Sequence, residues 1–115
     1  MWDVGGMSNA MVLRGTELRY ALTMYVQVHG PATIPTLLDV LDHWGFAIEG
    51  RPSKVVSDAL RWEVRYGRVR RLGRGRYGPG PIPRSTAHRI DQRVLALRAE
   101  ARRLSLGGGQ ESPWW

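Results

Sequence analysis

Residues 50–79 read GRPSKVVSDALRWEVRYGRVRRLGRGRYGP and contain the clearest structural signals of the chain. This stretch predicts a helix that is followed at once by a short and very basic hairpin. Ser53 is a good N-cap for the helix, because its hydroxyl can accept a hydrogen bond from a free backbone amide. Gly67 supplies the left-handed residue with which many helices close. The predicted helix therefore lies between Ser53 and Gly67.

The predicted helix has two contrasting faces. Apolar side chains recur at helical spacing on the face that we expect to pack on the core: Val55, Val56, Ala59, Trp62 and Tyr66. The opposite face is mostly cationic and carries Lys54, Asp58, Arg61 and Arg65. Glu63 falls near the apolar face, so we expect it to pair with an arginine rather than to act in catalysis. Trp44 and Trp62 are likewise expected to be core residues rather than platforms for stacked bases.

The basic hairpin is predicted over residues 68–78, with a tight turn that includes Gly75. A two-residue loop at this turn pairs Leu72 across from Tyr77 on one face of the hairpin. Arginine side chains then occupy the other face and the tip: Arg71, Arg76 and Arg74. Val69 and Leu72 fall on opposite faces of a regular strand. Either a bulge therefore intervenes or Val69 packs at the junction with the helix.

Charge is distributed unevenly along the 115 residues, whose net charge is +7. Residues 1–50 hold two arginines against five acidic residues, a balance of −3. Residues 51–103 hold fifteen lysines and arginines against four acidic residues, a balance of +11. A polarity of this size predicts an anionic partner for the second half of the chain. The length leaves room for one domain with a modest core.

Several function classes find no support in the sequence. The absence of cysteine excludes disulfides and thiolate metal sites, and it fits a reducing cytosol. The three histidines, His29, His43 and His88, have no metal-ligand spacing. The hairpin glycines do not match a nucleotide-binding fingerprint, and nothing pairs a nucleophile with a base. We therefore expect no enzyme activity, no metal and no cofactor. The sequence also lacks an apolar run that could span a bilayer and a signal-like N-terminus.

The segments before the third helix predict two further helices. Residues 1–15 show no clear period and are expected to be mostly flexible. Residues 16–29 predict the first helix, with Thr16 as its cap, and residues 33–44 predict the second, with Thr33 as its cap. Three helices and a hairpin in this order are typical of a winged helix-turn-helix domain, here over residues 16–80.

Residues 81–106 predict a connector and a long C-terminal helix, with the proline-rich connector ending at Arg84, a cap at Ser85 and the helix from about Thr86 to Leu104. Its apolar residues form a seam at spacings of four, three, four and three: Ile90, Val94, Leu97, Ala101 and Leu104. This seam predicts a homodimer. The alternatives are that the helix folds back on the first helix of its own domain, or that its flanking arginines contact nucleic acid or an acidic partner. Residues 107–115 begin with three glycines that should end the helix, and they predict a flexible tail.

The run RYGRVRRLGRGRY at residues 65–77 resembles the end of the recognition helix and the wing of the winged-helix family. More narrowly, residues 51–80 are similar to a segment of small uncharacterised actinobacterial proteins of that class. The resemblance covers about residues 16–79. It implies an α+β fold with three helices and a two-stranded hairpin wing, to which this chain adds a long C-terminal helix. It also implies a duplex DNA partner, without indicating a cognate sequence or an effector.

The resemblance and the charge pattern together select candidate DNA contacts on the third helix and the hairpin. In a major groove, arginine can read guanine edges and lysine can hold phosphate, while a hairpin tip can enter a minor groove. The candidates are Ser53, Lys54, Ser57, Arg61, Arg65, Arg68, Arg71, Arg74 and Arg76. The alternatives without DNA binding are a third helix whose charged face contacts only solvent and a hairpin edge strand whose charge keeps it soluble. Asp58 is expected to pair with Arg61 or Arg65.

The predicted function is that of a cytoplasmic, nucleoid-associated DNA-binding protein or transcriptional regulator. One alternative is a protein-interaction module that grips an acidic partner with the same basic surface. Another is a structured-RNA binder, which exposed aromatic side chains would favour. The sequence offers Trp2, Trp114 and Trp115 as the only candidates for such exposure.

Overall fold

The computed structural model describes residues 10–110, with side chains described as far as residue 105. Over these residues the chain is a mixed α+β fold of four helices and two small sheets. The helices and strands follow one another as β1 (Met11–Leu13), α1 (Gly15–His29), β2 (Ala32–Thr33), α2 (Ile34–His43), β3 (Phe46–Ile48), α3 (Pro52–Arg65), β4 (Val69–Gly73), β5 (Arg76–Pro79) and α4 (Arg84–Gln110).

The observed starts of α1 and α4 differ from the caps that the sequence predicts. α1 begins at Gly15, and the Thr16 hydroxyl accepts a hydrogen bond from Arg19 instead of capping the helix. α4 begins at Arg84, directly after Pro83, whose carbonyl oxygen accepts the first helical hydrogen bond from Ala87. Ser85 therefore lies inside the helix. Proline supports this earlier start, since its fixed φ angle suits the chain just before a helix.

The cap of α2 agrees with the prediction, whereas that of α3 does not. The Thr33 hydroxyl accepts a hydrogen bond from the Thr36 amide at 3.4 Å. α3 starts one residue before Ser53, because Pro52 occupies its first position and needs no amide partner. Gly67 closes α3 with a φ angle of 81°, as predicted. The amides of Gly67 and Arg68 donate back to carbonyls of the last turn, which is a Schellman motif.

The hairpin belongs to a three-stranded antiparallel sheet with the order β2, β5, β4. Its register pairs Arg71 with Tyr77 and Gly73 with Arg76, so Leu72 is the extra residue of a β-bulge. The prediction that Leu72 lies opposite Tyr77 is wrong, and the bulge is the correct alternative. It lets Val69 point into the core, where 1% of its surface is exposed, while Leu72 stays at the surface.

The second sheet joins the start of the described chain to the turn after α2. β1 pairs in parallel with β3, so that Met11 lies beside Phe46 and Leu13 beside Ile48. Leu13 is buried in the core. The prediction of a flexible segment over residues 1–15 is therefore wrong for residues 11–13, whereas residues 1–9 lie outside the described part. A strand of three residues is too short to give a detectable period.

α4 packs against α1 and completes the core. Four of the five seam residues are buried in the core of the same chain, namely Ile90, Val94, Leu97 and Ala101. The fifth, Leu104, is 43% exposed. The seam predicted for dimerisation thus forms the core of its own chain, which was the alternative reading. An apolar stripe of this kind must be covered, and α1 is the nearest surface that can cover it.

Two arginines beside the stripe make further contacts between α4 and the rest of the chain. Arg93 forms an ion pair with Glu17 of α1, and the Arg98 guanidinium lies 4.3 Å from the centroid of the Trp44 ring. The α4 backbone continues through the three glycines to Gln110, which corrects the predicted stop at residue 107. Each glycine costs a growing helix only about 1 kcal/mol, so an established helix can extend through them. Residues 111–115 of the predicted tail lie outside the described residues.

Candidate nucleic-acid interface

The predicted cationic face of α3 lies at the protein surface. Lys54, Arg61 and Arg65 are all exposed. Asp58 lies between them, with its carboxylate 3.0 Å from Lys54 Nζ and 3.8 Å from Arg61 Nη1. Exposed ion pairs of this kind contribute at most about 1 kcal/mol, so both cations can exchange Asp58 for a phosphate. We call these four residues the α3 basic face.

Trp62 lies beside this face and not in the core, which corrects the prediction. Its side chain is 45% exposed, and that of Tyr66 is 54% exposed. The buried face of α3 is instead made of Val56, Ala59, Leu60 and Glu63. At 100° per residue, Trp62 lies about 120° around the helix from Val56. Hydrophobicity alone placed Trp62 on the apolar face and left out Leu60, which is buried about 40° from Val56 on the side away from Trp62.

The exposed aromatic rings of α3 are ordered by contacts with each other and with arginine. The rings of Trp62 and Tyr66 stack with their centroids 6.0 Å apart and an interplanar angle of 24°. The Arg65 guanidinium lies 5.1 Å from the centroid of the indole. Trp62 and the α3 basic face together line an open cavity of about 360 Å³. An aromatic ring therefore sits among the cations that were predicted to contact an anionic partner.

Trp44, which was also expected in the core, is half-buried at the edge of the core. Its ring packs edge-on against Tyr25 and Phe46, with centroids 6.1 and 6.4 Å away. Together with the Arg98 contact, these rings make Trp44 part of the packing between α1, α2 and α4. It is not available as a platform for bases.

Glu63 is the buried anchor of α3, with none of its surface exposed. Its carboxylate accepts hydrogen bonds from Arg68 at 2.8 and 2.7 Å and from the Thr23 hydroxyl at 2.5 Å. Arg19 forms an ion pair with the same carboxylate at 3.3 Å. We call these four residues the Glu63 cluster. The expectation that Glu63 pairs with an arginine is confirmed.

Arg68 is consequently a structural residue and leaves the set of candidate contacts. Its hydrogen bonds to Glu63 raise the pKa of the guanidinium above its usual range, against a smaller opposing effect of burial. Its guanidinium also lies 4.9 Å from the centroid of the Tyr66 ring. A cation held by two charge-assisted hydrogen bonds to a buried carboxylate is not free to neutralise a phosphate.

The hairpin presents its arginines to solvent and is attached to the helices at its base and its turn. The exposed arginines are Arg70, Arg71, Arg74 and Arg76. The Gln27 side chain of α1 donates to the Gly80 carbonyl at 2.7 Å, and the Gly80 amide donates to the Arg68 carbonyl at 3.0 Å. The Ile34 amide at the start of α2 donates to the carbonyl of Gly75 in the turn. The hairpin is thus held at both ends.

The two serine candidates occupy the first turns of α3. Ser53 is exposed and Ser57 is half-buried. The structure therefore brings seven of the nine predicted contacts to the surface on α3 and the hairpin: Ser53, Lys54, Arg61, Arg65, Arg71, Arg74 and Arg76. Sequence reasoning missed Trp62, Tyr66 and Arg70 as further exposed residues of these elements.

No protein-family model, curated protein or solved structure matches this chain. Among residues 10–110, no cluster of three or more histidine, aspartate or glutamate side chains could hold a metal ion. Within the same residues, no helix combines the length and the apolar character needed to cross a membrane.

Proposed function

We propose that this chain is a winged-helix DNA-binding protein that acts as a transcriptional regulator or a nucleoid-associated protein. The observation that carries the proposal is the exposed α3 basic face, which continues after one tight turn into a hairpin with four exposed arginines. The order of elements from α1 to β5, with β2 pairing with the hairpin, supports the winged-helix part of the proposal.

In the proposed complex, α3 enters the major groove and the hairpin reaches the neighbouring backbone or minor groove. Arg61 and Arg65 are long enough to reach guanine edges, whereas Lys54 near the start of α3 neutralises a phosphate. The Glu63 cluster ties α3 to α1 and to the turn that leads into the hairpin. It therefore presents helix and hairpin to the duplex in a fixed relation.

A second candidate function is the binding of structured RNA, and the exposure of Trp62 and Tyr66 favours it. Protein side chains recognise unpaired RNA bases largely by stacking on aromatic rings. The cations of α3 and the hairpin would serve RNA phosphates equally well. Competition between duplex DNA and a structured RNA for the same protein separates the two functions.

The test is a binding titration with labelled random-sequence duplex DNA at two or more salt concentrations. If about five phosphates are neutralised, the logarithm of the binding constant should fall with the logarithm of the salt concentration at a slope of about −4 to −5. A flat salt response, or no binding at low salt, would contradict the proposal and favour an acidic protein partner. Tighter binding of structured RNA than of duplex DNA would favour the second candidate.

Three variants in the same titration distinguish the roles of helix and hairpin. Arg65→Ala should weaken binding to a selected sequence by roughly 1–3 kcal/mol more than binding to random DNA, if the residue reads a guanine. Arg74→Ala should weaken binding to all sequences alike and lower the salt slope. Arg89→Ala on α4, which removes an exposed arginine outside the interface, is the matched control and should change neither quantity much.

A further inference from the structure

Trp62 is a large aromatic residue that remains about half exposed on a helix whose core face is already complete. Tryptophan is usually buried for most of its surface. Exposed aromatic and arginine residues at one place mark the anchor points of many binding surfaces. Here the ring lies among Lys54, Arg61 and Arg65, which are the residues proposed to meet DNA.

The π surface of the indole already has intramolecular partners. Tyr66 stacks on it at 6.0 Å, and the Arg65 guanidinium lies 5.1 Å from the ring centroid. A nucleotide base that stacked on the part of the indole covered by either partner would have to displace that partner. A contact that uses the rim of the indole keeps both partners in place. The arrangement therefore favours an edge contact over base stacking.

A duplex offers one kind of apolar group to such a contact. The faces of paired bases are covered by their neighbours, and in the major groove the only apolar group at the base edges of unmodified DNA is the C5-methyl of thymine. A 5-methylcytosine presents the same group. Arginine forms its commonest specific contact with guanine in the same groove. Trp62 and Arg65 thus suit two different features of the groove floor.

Their spacing suits neighbouring base pairs. Three residues advance a helix by about 4.5 Å, at 1.5 Å per residue, and successive base pairs are about 3.4 Å apart. Resting on the proposed function, we propose that Trp62 contacts a pyrimidine C5-methyl group while Arg65 reads the guanine of the adjacent base pair. Arg65 is held over the indole before DNA arrives, so the two contacts form as one unit.

The experiment uses the full chain and the duplex that it selects from a random pool. Each thymine of that duplex is replaced in turn by uracil, which removes the methyl group and leaves the base pairing unchanged. We expect binding of the wild-type protein to weaken about fourfold at one position, as for the loss of one buried methyl group. Trp62→Ala should lose this sensitivity, and Trp62→Phe should retain most of it. Leu72→Ala, which removes an equally exposed apolar side chain from the hairpin, should retain all of it.

A further pair of duplexes tests whether the methyl group itself is recognised, whichever pyrimidine carries it. The sensitive base is replaced by cytosine or by 5-methylcytosine, and recovery with 5-methylcytosine alone shows that the methyl group is what is read. If uracil at no position weakens binding of the wild-type protein, or if Trp62→Ala is equally sensitive to uracil, the inference is overturned while duplex binding remains intact. Tighter binding of a single strand than of the duplex would assign Trp62 to base stacking and overturn it as well. A wild-type protein that binds no duplex would overturn the proposed function and this inference with it.

Discussion

At the scale of single residues, the chain places its one fully buried carboxylate among the described residues where three elements meet. Glu63 belongs to α3, Thr23 and Arg19 to α1, and Arg68 to the turn before β4. A buried charge is tolerated only if it is paired and hydrogen-bonded. Removing any partner therefore weakens the attachment of α3 to both of its neighbours.

Glu63→Gln should lower the free energy of unfolding by about 3 kcal/mol, because it leaves Arg68 and Arg19 without a countercharge. Urea denaturation followed by circular dichroism measures this change. Glu100→Gln is the matched control, since its carboxylate pairs with Arg103 at the exposed surface of α4, and it should change stability by less than about 0.5 kcal/mol. Equal losses in the two variants would contradict a special role for the Glu63 cluster.

The raised pKa of Arg68 gives the direction in which the protonation of this one residue changes stability. An arginine whose pKa is higher in the folded than in the unfolded protein adds stability at every pH below its ordinary pKa. That contribution is lost only as the pH rises through the folded pKa, in strongly alkaline solution. Arg68 therefore stays protonated across the physiological pH range, and its contribution to the attachment of α3 does not change there.

Residue roles on α3 were only partly predictable from the sequence. The pairing of Glu63 with an arginine followed from its position near the apolar face. The exposure of Trp62 did not, because a hydrophobic residue a third of a turn from the centre of the buried face still fits a broad apolar stripe. Arg68 stands in an arginine-rich stretch, and only the fold reveals that a buried acid five residues earlier engages it.

At the scale of elements, the hairpin depends on a close backbone approach at its base. The Gly80 amide donates to the Arg68 carbonyl, and Gly80 itself is buried. A Cβ atom built on Gly80 would collide with the Gly67 carbonyl oxygen and lie 2.9 Å from the Arg68 carbonyl carbon. Both obstacles are backbone atoms of the turn between α3 and β4. They cannot move without shifting the hairpin relative to α3.

Gly80→Ala should therefore lower the free energy of unfolding by about 1–3 kcal/mol, the usual cost of overpacking a closed site. Gly73→Ala is the matched control in the same hairpin, because a Cβ there meets nothing within 4 Å and its φ angle is not left-handed. It should change stability by less than about 0.5 kcal/mol. Thermal unfolding of the two variants checks the difference, and a tolerant Gly80 would contradict the close approach.

Regular elements were easier to predict than irregular ones. The three helices before the hairpin and the long helix after it follow from their apolar periods, although three of the four starts shift by a residue or two. The sequence could not decide between a regular strand and a bulge at Leu72, because a one-residue shift in strand pairing changes no local propensity. β1 and β2 are three and two residues long, and pairing partners distant in sequence define them.

At the scale of the whole molecule, α4 is part of the core that α1 begins. The buried stripe of α4 and the Arg93–Glu17 ion pair both join it to α1. A repeat of four and three residues serves a coiled coil and an intramolecular helix pair equally well, so the sequence alone left the choice open. The structure decides it for four of the five seam residues. A homodimer would have to use surfaces other than this stripe, or detach α4 from its own domain.

Leu97→Ala should consequently lower the free energy of unfolding by about 2–5 kcal/mol, as expected for a large-to-small change at a site that is 4% exposed. Leu95→Ala, two residues earlier on the same helix and 47% exposed, is the matched control and should change stability by less than about 0.5 kcal/mol. Both are measured by urea denaturation at two protein concentrations that differ tenfold. Folding within one chain predicts a midpoint independent of protein concentration, whereas a seam shared by two chains makes the wild-type midpoint rise with concentration.

A double variant, Val94→Asp with Leu97→Asp, extends the test. It should unfold the whole domain, and a folded monomer in sedimentation would instead show that α4 pairs with a second chain.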